Sequence, residues 1–125
     1  MKIFEENGIE IFEHNGAGYE PTMNYGAWRV ALANTAPHLH EDTYERIERH
    51  NETDEVFVLL YGCATLVIGK EQKRYKMENG KIYNVKAGVW HAILIEENAK
   101  VLIVENHNTS IENSEYYYFK EKNNE

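Results

Sequence analysis

Short apolar runs, broken every few residues by glycine, asparagine or clustered charge, dominate this chain, and no segment sustains a 3.6-residue apolar period. That pattern predicts strands and turns rather than helices. Near the N-terminus Ile3-Phe4-Glu5-Glu6-Asn7-Gly8 is echoed by Ile11-Phe12-Glu13-His14-Asn15-Gly16, and each Asn-Gly marks a turn between short strand pieces. A strand over 25–34 places Trp28, Val30 and Leu32 on one face. Over 44–50, period two puts Tyr44, Arg46, Glu48 and His50 on one face and Glu45, Ile47 and Arg49 on the other. Further strands are expected over 54–61, 63–68, 74–77, 81–85, 90–95 and 101–105. Turn clusters such as Glu78-Asn79-Gly80, Lys86-Ala87-Gly88 and Glu96-Glu97-Asn98 divide them. Residues 115–119 add a last strand or an arm laid on a partner subunit, and the charged tail over 120–125 is expected to fray. Many short strands with regular turns predict an all-β sandwich or barrel.

Length and charge narrow the function. The 125 residues suit one domain, over 1–119, with a real core. A formal charge of −8, spread along the chain, repels phosphate backbones and anionic lipid, so neither nucleic acid nor membrane is the expected partner. The first residues are too polar for a signal peptide and no apolar run reaches a membrane span, so a cytoplasmic protein is expected. The one cysteine, Cys63, leaves no internal disulfide and is expected as a small buried core residue. Apolar positions on the outward alternation, such as Val56, Val58 and Leu60, predict a second packed sheet or the interface of a homodimer.

The candidate chemistry lies where the polar strand meets the apolar ones. Alternation sends Glu48 and His50 to one side, and after the turn Glu55 faces the same space from the neighbouring strand. His91 starts a later strand whose Ile93 and Ile95 continue on its side. Two imidazoles and two carboxylates then converge in a pocket expected to be lined by Phe57, Leu59, Tyr61 and Ile93. Such a set suits Zn, Mn, Fe or Ni. Equally, it supplies an acid and a base that work with no metal. Any one of these residues alone is more often structural, and the expectation of a site rests on the four together. His14 and His107 are expected at the surface. His38-Leu39-His40 follows Pro37 and precedes Glu41-Asp42-Thr43, which places it in a loop.

The spacing of these residues resembles the two sequence motifs of the cupin superfamily, a double-sheet jelly-roll barrel (double-stranded β-helix). His50, Glu55 and Gly62 match the second histidine, the glutamate and the glycine of the first motif; Gly80, Gly88 and His91 match the second. Glu48 stands where the first histidine would be, Lys86 replaces a proline and Ile95 an asparagine. Within the cupins, Glu-Arg-Ile-Glu-Arg-His over 45–50 and Val-Trp-His-Ala-Ile-Leu over 89–94 resemble ureidoglycolate lyases, which split ureidoglycolate into glyoxylate and urea. That resemblance implies a substrate site lined by Glu48, His50 and His91, with Trp90 in its wall. A carboxylate substrate also needs a cation, and Arg46 is inward by alternation, with Arg29 or Lys86 as further candidates. The implied function is a lyase acting on a small oxygenated carboxylate. The competing reading is a non-catalytic module that holds a sugar or small acid in the same pocket.

Overall fold

The computed structural model describes residues 1–119; the tail expected to fray lies outside them. In chain order the strands are β1 (Lys2–Glu6), β2 (Ile9–Phe12), β3 (Tyr19–Tyr25), β4 (Trp28–Ala33), β5 (Arg46–His50) and β6 (Glu55–Tyr61). There follow β7 (Ala64–Ile68), β8 (Lys73–Lys76), β9 (Tyr83–Val85), β10 (His91–Ile95), β11 (Lys100–Asn106) and β12 (Ser114–Tyr118). β1 and β2 form a hairpin of their own, closed by Asn7 and Gly8 with φ of 54° and 86°. Positive φ at both central residues is the turn that matches strand twist, which is why Asn-Gly stands there.

The other strands make two five-stranded sheets, ordered β12-β5-β10-β7-β8 and β3-β4-β11-β6-β9. Neighbours are antiparallel throughout. The core between the sheets holds Phe57, Leu59, Leu66, Ile93, Ile95, Val101 and Ile103. β4 contributes only Ala31 and Ala33, each fully buried. Its larger residues Val30 and Leu32 share the outer face with Val56, Val58, Leu102 and Val104, and all six stay partly exposed. β4, β6 and β11 are therefore apolar on both faces, a pattern usual for strands covered on both sides.

Several expectations shift. β3 was not expected: Pro21 and the polar residues hide its alternation, and its register breaks between Pro21 and Met23. Cys63 is exposed rather than buried, because Gly62, at φ 84°, turns the chain between β6 and β7. His14 is buried, with Nε2 2.8 Å from the Gly18 carbonyl and Nδ1 3.0 Å from Glu20. His38 and Leu39 lie in a single 3₁₀ turn, as a loop assignment required. Among the described residues no helix is long and apolar enough to cross a membrane.

Candidate functional site

β5 delivers Arg46, Glu48 and His50 to the barrel interior. β10 pairs with it so that His91 lies opposite Glu48. The turn before β10 is held from two directions: the Gly88 N–H donates to the His50 carbonyl (2.8 Å), and the Ala87 N–H donates to Asp54 (2.9 Å). Gly88 has φ 83°, the left-handed conformation that glycine adopts without strain. Asp54 immediately precedes Glu55, so the acceptor that fixes the turn is adjacent in sequence to the carboxylate the turn serves. Lys86, where the cupin motif has a proline, does not prevent this turn from forming.

Glu55 is the centre of the cluster. Its Oε1 lies 3.0 Å from both His50 Nε2 and His91 Nε2, and Glu48 Oε2 lies 3.6 Å from His50 Nε2. The two rings meet edge-on at 5.3 Å, and the Phe57 ring packs against His91 at 5.8 Å. Behind the rings, His91 Nδ1–H donates to the Val89 carbonyl (3.0 Å), and His50 Nδ1 bonds Ser114 Oγ (2.8 Å). Glu48, His50 and His91 offer ligand atoms all within 4.8 Å of one another, and so do His50, Glu55 and Glu105.

Burial pushes the Glu55 carboxyl up, but the two imidazoles outweigh it and hold it well below the usual carboxylate range. Burial pulls His50 and His91 down, and their contacts with Glu55 more than reverse this, leaving both raised. Glu105 is raised by burial and by the nearby Glu55 charge, against the Tyr19 and Arg29 hydrogen bonds; burial and Glu105 raise Tyr19.

A pH optimum of stability follows for the metal-free protein. The raised imidazoles contribute fully below their ordinary value of 6.5, and the contribution is lost as pH rises through their folded values. The lowered Glu55 contributes above its ordinary 4.5, and this is lost as pH falls through its folded value. Glu105, raised, contributes below its ordinary 4.5 and loses this as pH rises through its folded value, which draws the optimum toward the acid end of the window. Thermal melts in chelator are expected to peak between pH 4.5 and 6.5, falling on both sides.

The donor set fits a divalent transition metal. A carbonyl only accepts, so His91 Nδ1 carries a proton, and in the neutral ring Nε2 is a bare lone pair. That lone pair faces a carboxylate oxygen, an arrangement needing either a second proton or a cation between them. His50 Nε2, also 3.0 Å from Glu55 Oε1, is buried and makes no hydrogen bond. Two imidazole nitrogens, two carboxylates and ring-orienting partners behind them are the ingredients of a Zn, Mn, Fe or Ni site. Removing the partner of His50 with Ser114→Ala is expected to weaken metal binding by about 10–100-fold, measured by chelator competition.

The cluster opens on a cavity of about 270 Å³ whose wall includes Phe57, Ile93, Arg29, Arg46, Tyr116 and His38. Leu59 sits in the core beneath it. Tyr61 does not line it: Leu59 pairs with Val101 and Tyr61 with Lys100, so Leu60 is an extra residue in the ladder and Tyr61 ends half-exposed. Trp90 also lies elsewhere. One residue before inward-facing His91, it packs edge-on to Tyr117 (6.1 Å) beneath the Arg49 guanidinium (4.6 Å). Lys86 borders a separate apolar hollow with Val85 and Val89. His40 is tied into its own turn, its Nδ1 accepting from Asp42 N–H, and His107 is exposed. The sequence reasoning missed Tyr19, Glu105, Ser114 and Tyr116. Alternation from Val101 and Ile103 was a signal for Glu105; β3 and the β5–β12 pairing gave no comparable one for the others.

No protein-family profile and no curated protein sequence matches the chain. Solved structures do. A cupin-2 domain protein from Shewanella frigidimarina NCIMB 400 aligns at 20% identity over 75% of this chain and 85% of its own, with a TM-score of 0.59. Pac13 from Streptomyces, described as a nucleoside dehydratase, aligns at 6% identity over 85% and 83%, with a TM-score of 0.64. The Fe(II) form of HppE aligns at 15% identity and a TM-score of 0.55, over 82% of this chain and 53% of its own. At such identities the likeness concerns fold, and with the two sheets and their order it gives one answer: the chain folds as a cupin-type double-sheet β-barrel.

Proposed function

We propose that the chain is a small-molecule enzyme, a metal-assisted lyase acting on a small oxygenated carboxylate such as ureidoglycolate. The observation carrying this reading is the convergence of two imidazole Nε2 atoms on one oxygen of Glu55, with both Nδ1 atoms engaged behind the rings. A divalent metal held by Glu48, His50, Glu55 and His91 would supply electrostatic stabilisation of developing oxyanion charge. Arg46 supports the carboxylate assignment: its guanidinium lies 4.1 Å above the Tyr116 ring and bonds Tyr118 Oη at 2.9 Å, with no carboxylate bridge among the described residues. Eliminating urea moves the hydroxyl proton to a base, forms the carbonyl, breaks the C–N bond and returns a proton to the leaving nitrogen. Where these groups are not metal-bound, Glu48, the more open carboxylate of the cluster, suits the first task and a protonated imidazole the last. Pac13 illustrates elimination chemistry on this fold, by analogy only.

Assay of the metal-loaded protein with ureidoglycolate and related hydroxy acids tests this. Glyoxylate and urea are the expected products. Ligand-induced stabilisation without any product would instead assign a binding module.

The protein would act as one domain over 1–119, in the cytoplasm, and as a homodimer. The apolar outer face of β4, β6 and β11 supports self-association, since its six aliphatic residues carry no charge. Sedimentation is expected to give a dimer for wild type and a monomer for Val58→Arg.

A further inference from the structure

Glu105 belongs to neither glycine-anchored motif, yet it is 5% exposed and sits at the cluster. It ends the inward face of β11 directly opposite Arg29. Its Oε2 accepts from the Tyr19 hydroxyl and from Arg29 Nη2 (2.6 Å). Arg29 is itself fixed, donating to the carbonyls of His107 (3.2 Å) and Thr109 (3.3 Å). The carboxylate is thus held rigidly by one oxygen, while Oε1 has no protein donor among the described residues.

An oxygen of Glu105 lies within 4.8 Å of ligand atoms of Glu55 and His50. Two carboxyl groups this close repel when both are ionised, so they share a proton or take a donor or cation between them. Among the described residues no neighbouring side chain bonds Oε1: Tyr19 and Arg29 Nη2 serve Oε2, Arg29 Nε and His50 Nε2 make no hydrogen bond, and His50 Nδ1 is held by Ser114. The cavity wall therefore presents an acceptor that lacks a donor.

We infer that Glu105 is the recognition point for hydrogen-bond donors of the substrate, hydroxyl or amide-type N–H groups, in the same cavity whose Arg46 receives its carboxylate. This rests on the small-carboxylate reading above and narrows it: the substrate carries an anionic end and donors beyond it. A donorless chain of the same shape would leave a desolvated carboxylate unpaired and be rejected.

The test is calorimetric titration with two near-isosteric probes. N-carbamoylglycine carries ureido N–H donors, and 4-oxopentanoate carries none. Wild type is expected to prefer N-carbamoylglycine by at least about tenfold. Glu105→Gln and, as a stronger break, Glu105→Leu are expected to shrink that preference toward parity. Arg46→Met should weaken both probes and keep the ratio. Equal wild-type affinities, with both probes weakened by Arg46→Met, would overturn the donor subsite and leave the carboxylate reading standing. Binding of neither probe would sink both. Loss of bound zinc from Glu105→Gln at the chelator concentration that strips His91→Gln would make Glu105 a metal ligand, and would also overturn the inference.

Discussion

Replacing His91 by glutamine is expected to lower metal affinity by more than about a hundredfold, and turnover with it. Outer partners of metal ligands already account for about 10–100-fold, so an actual ligand should exceed them. His91 is 2% exposed, starts β10 opposite Glu48, and points Nε2 at Glu55 from 3.0 Å. Glutamine retains a polar side chain of comparable length beside Phe57, so the barrel should remain folded by circular dichroism. Metal content after dialysis and the initial rate on ureidoglycolate measure the effect. A glutamine variant with wild-type metal content and rate would remove His91 from the site.

Gly62→Ala is the second large effect, and it acts on stability alone. Gly62 has φ 84°, and an added Cβ would stand 2.5 Å from Ala99 Cα and Cβ and 2.7 Å from the Asn98 carbonyl oxygen. These are chiefly backbone atoms of the turn between β10 and β11, where Asn98 also has positive φ (63°). No flexible side chain can move aside. The left-handed conformation costs an alanine about 1–2 kcal/mol, and displacing the packed turn adds to it, for an expected loss of about 3 kcal/mol or more by denaturant titration. Gly80→Ala is the control: φ is 83°, but nothing lies within 4 Å of its added Cβ. Only the conformational term should appear there. Equal losses in the two variants would mean the close approach at Ala99 carries no weight.

Much of the site was legible because strand alternation is strict wherever a ladder is regular. Glu55, Phe57 and Leu59 face inward together, as do His91, Ile93 and Ile95, and all six are buried. The expectation for Tyr61 failed because alternation was carried through a bulge, which the sequence does not announce except by Gly62 beyond it. Trp90 failed for the opposite reason. Its neighbour His91 faces inward, so period two sends Trp90 away, and only the family resemblance had put it in the wall. Arg46 and Glu48 were placed by their own strand. Tyr116 and Ser114 reach the cavity because β12 pairs with β5, Ser114 opposite His50 and Tyr116 opposite Glu48. Such long-range pairing has no local signature. Tyr19 depended on a strand whose proline and polar residues obscured it. Glu105 was within reach of the same rule that found Glu55, one strand later.

Elemental mass spectrometry of the purified protein, prepared without added metal or chelator, tests the central claim most directly, with His50→Ala and His91→Ala alongside. A Glu48, His50, Glu55 and His91 metal centre predicts about one divalent transition metal per wild-type chain and its loss from both variants. Wild-type protein that holds no metal above background, even after incubation with Zn, Mn, Fe or Ni, would contradict it.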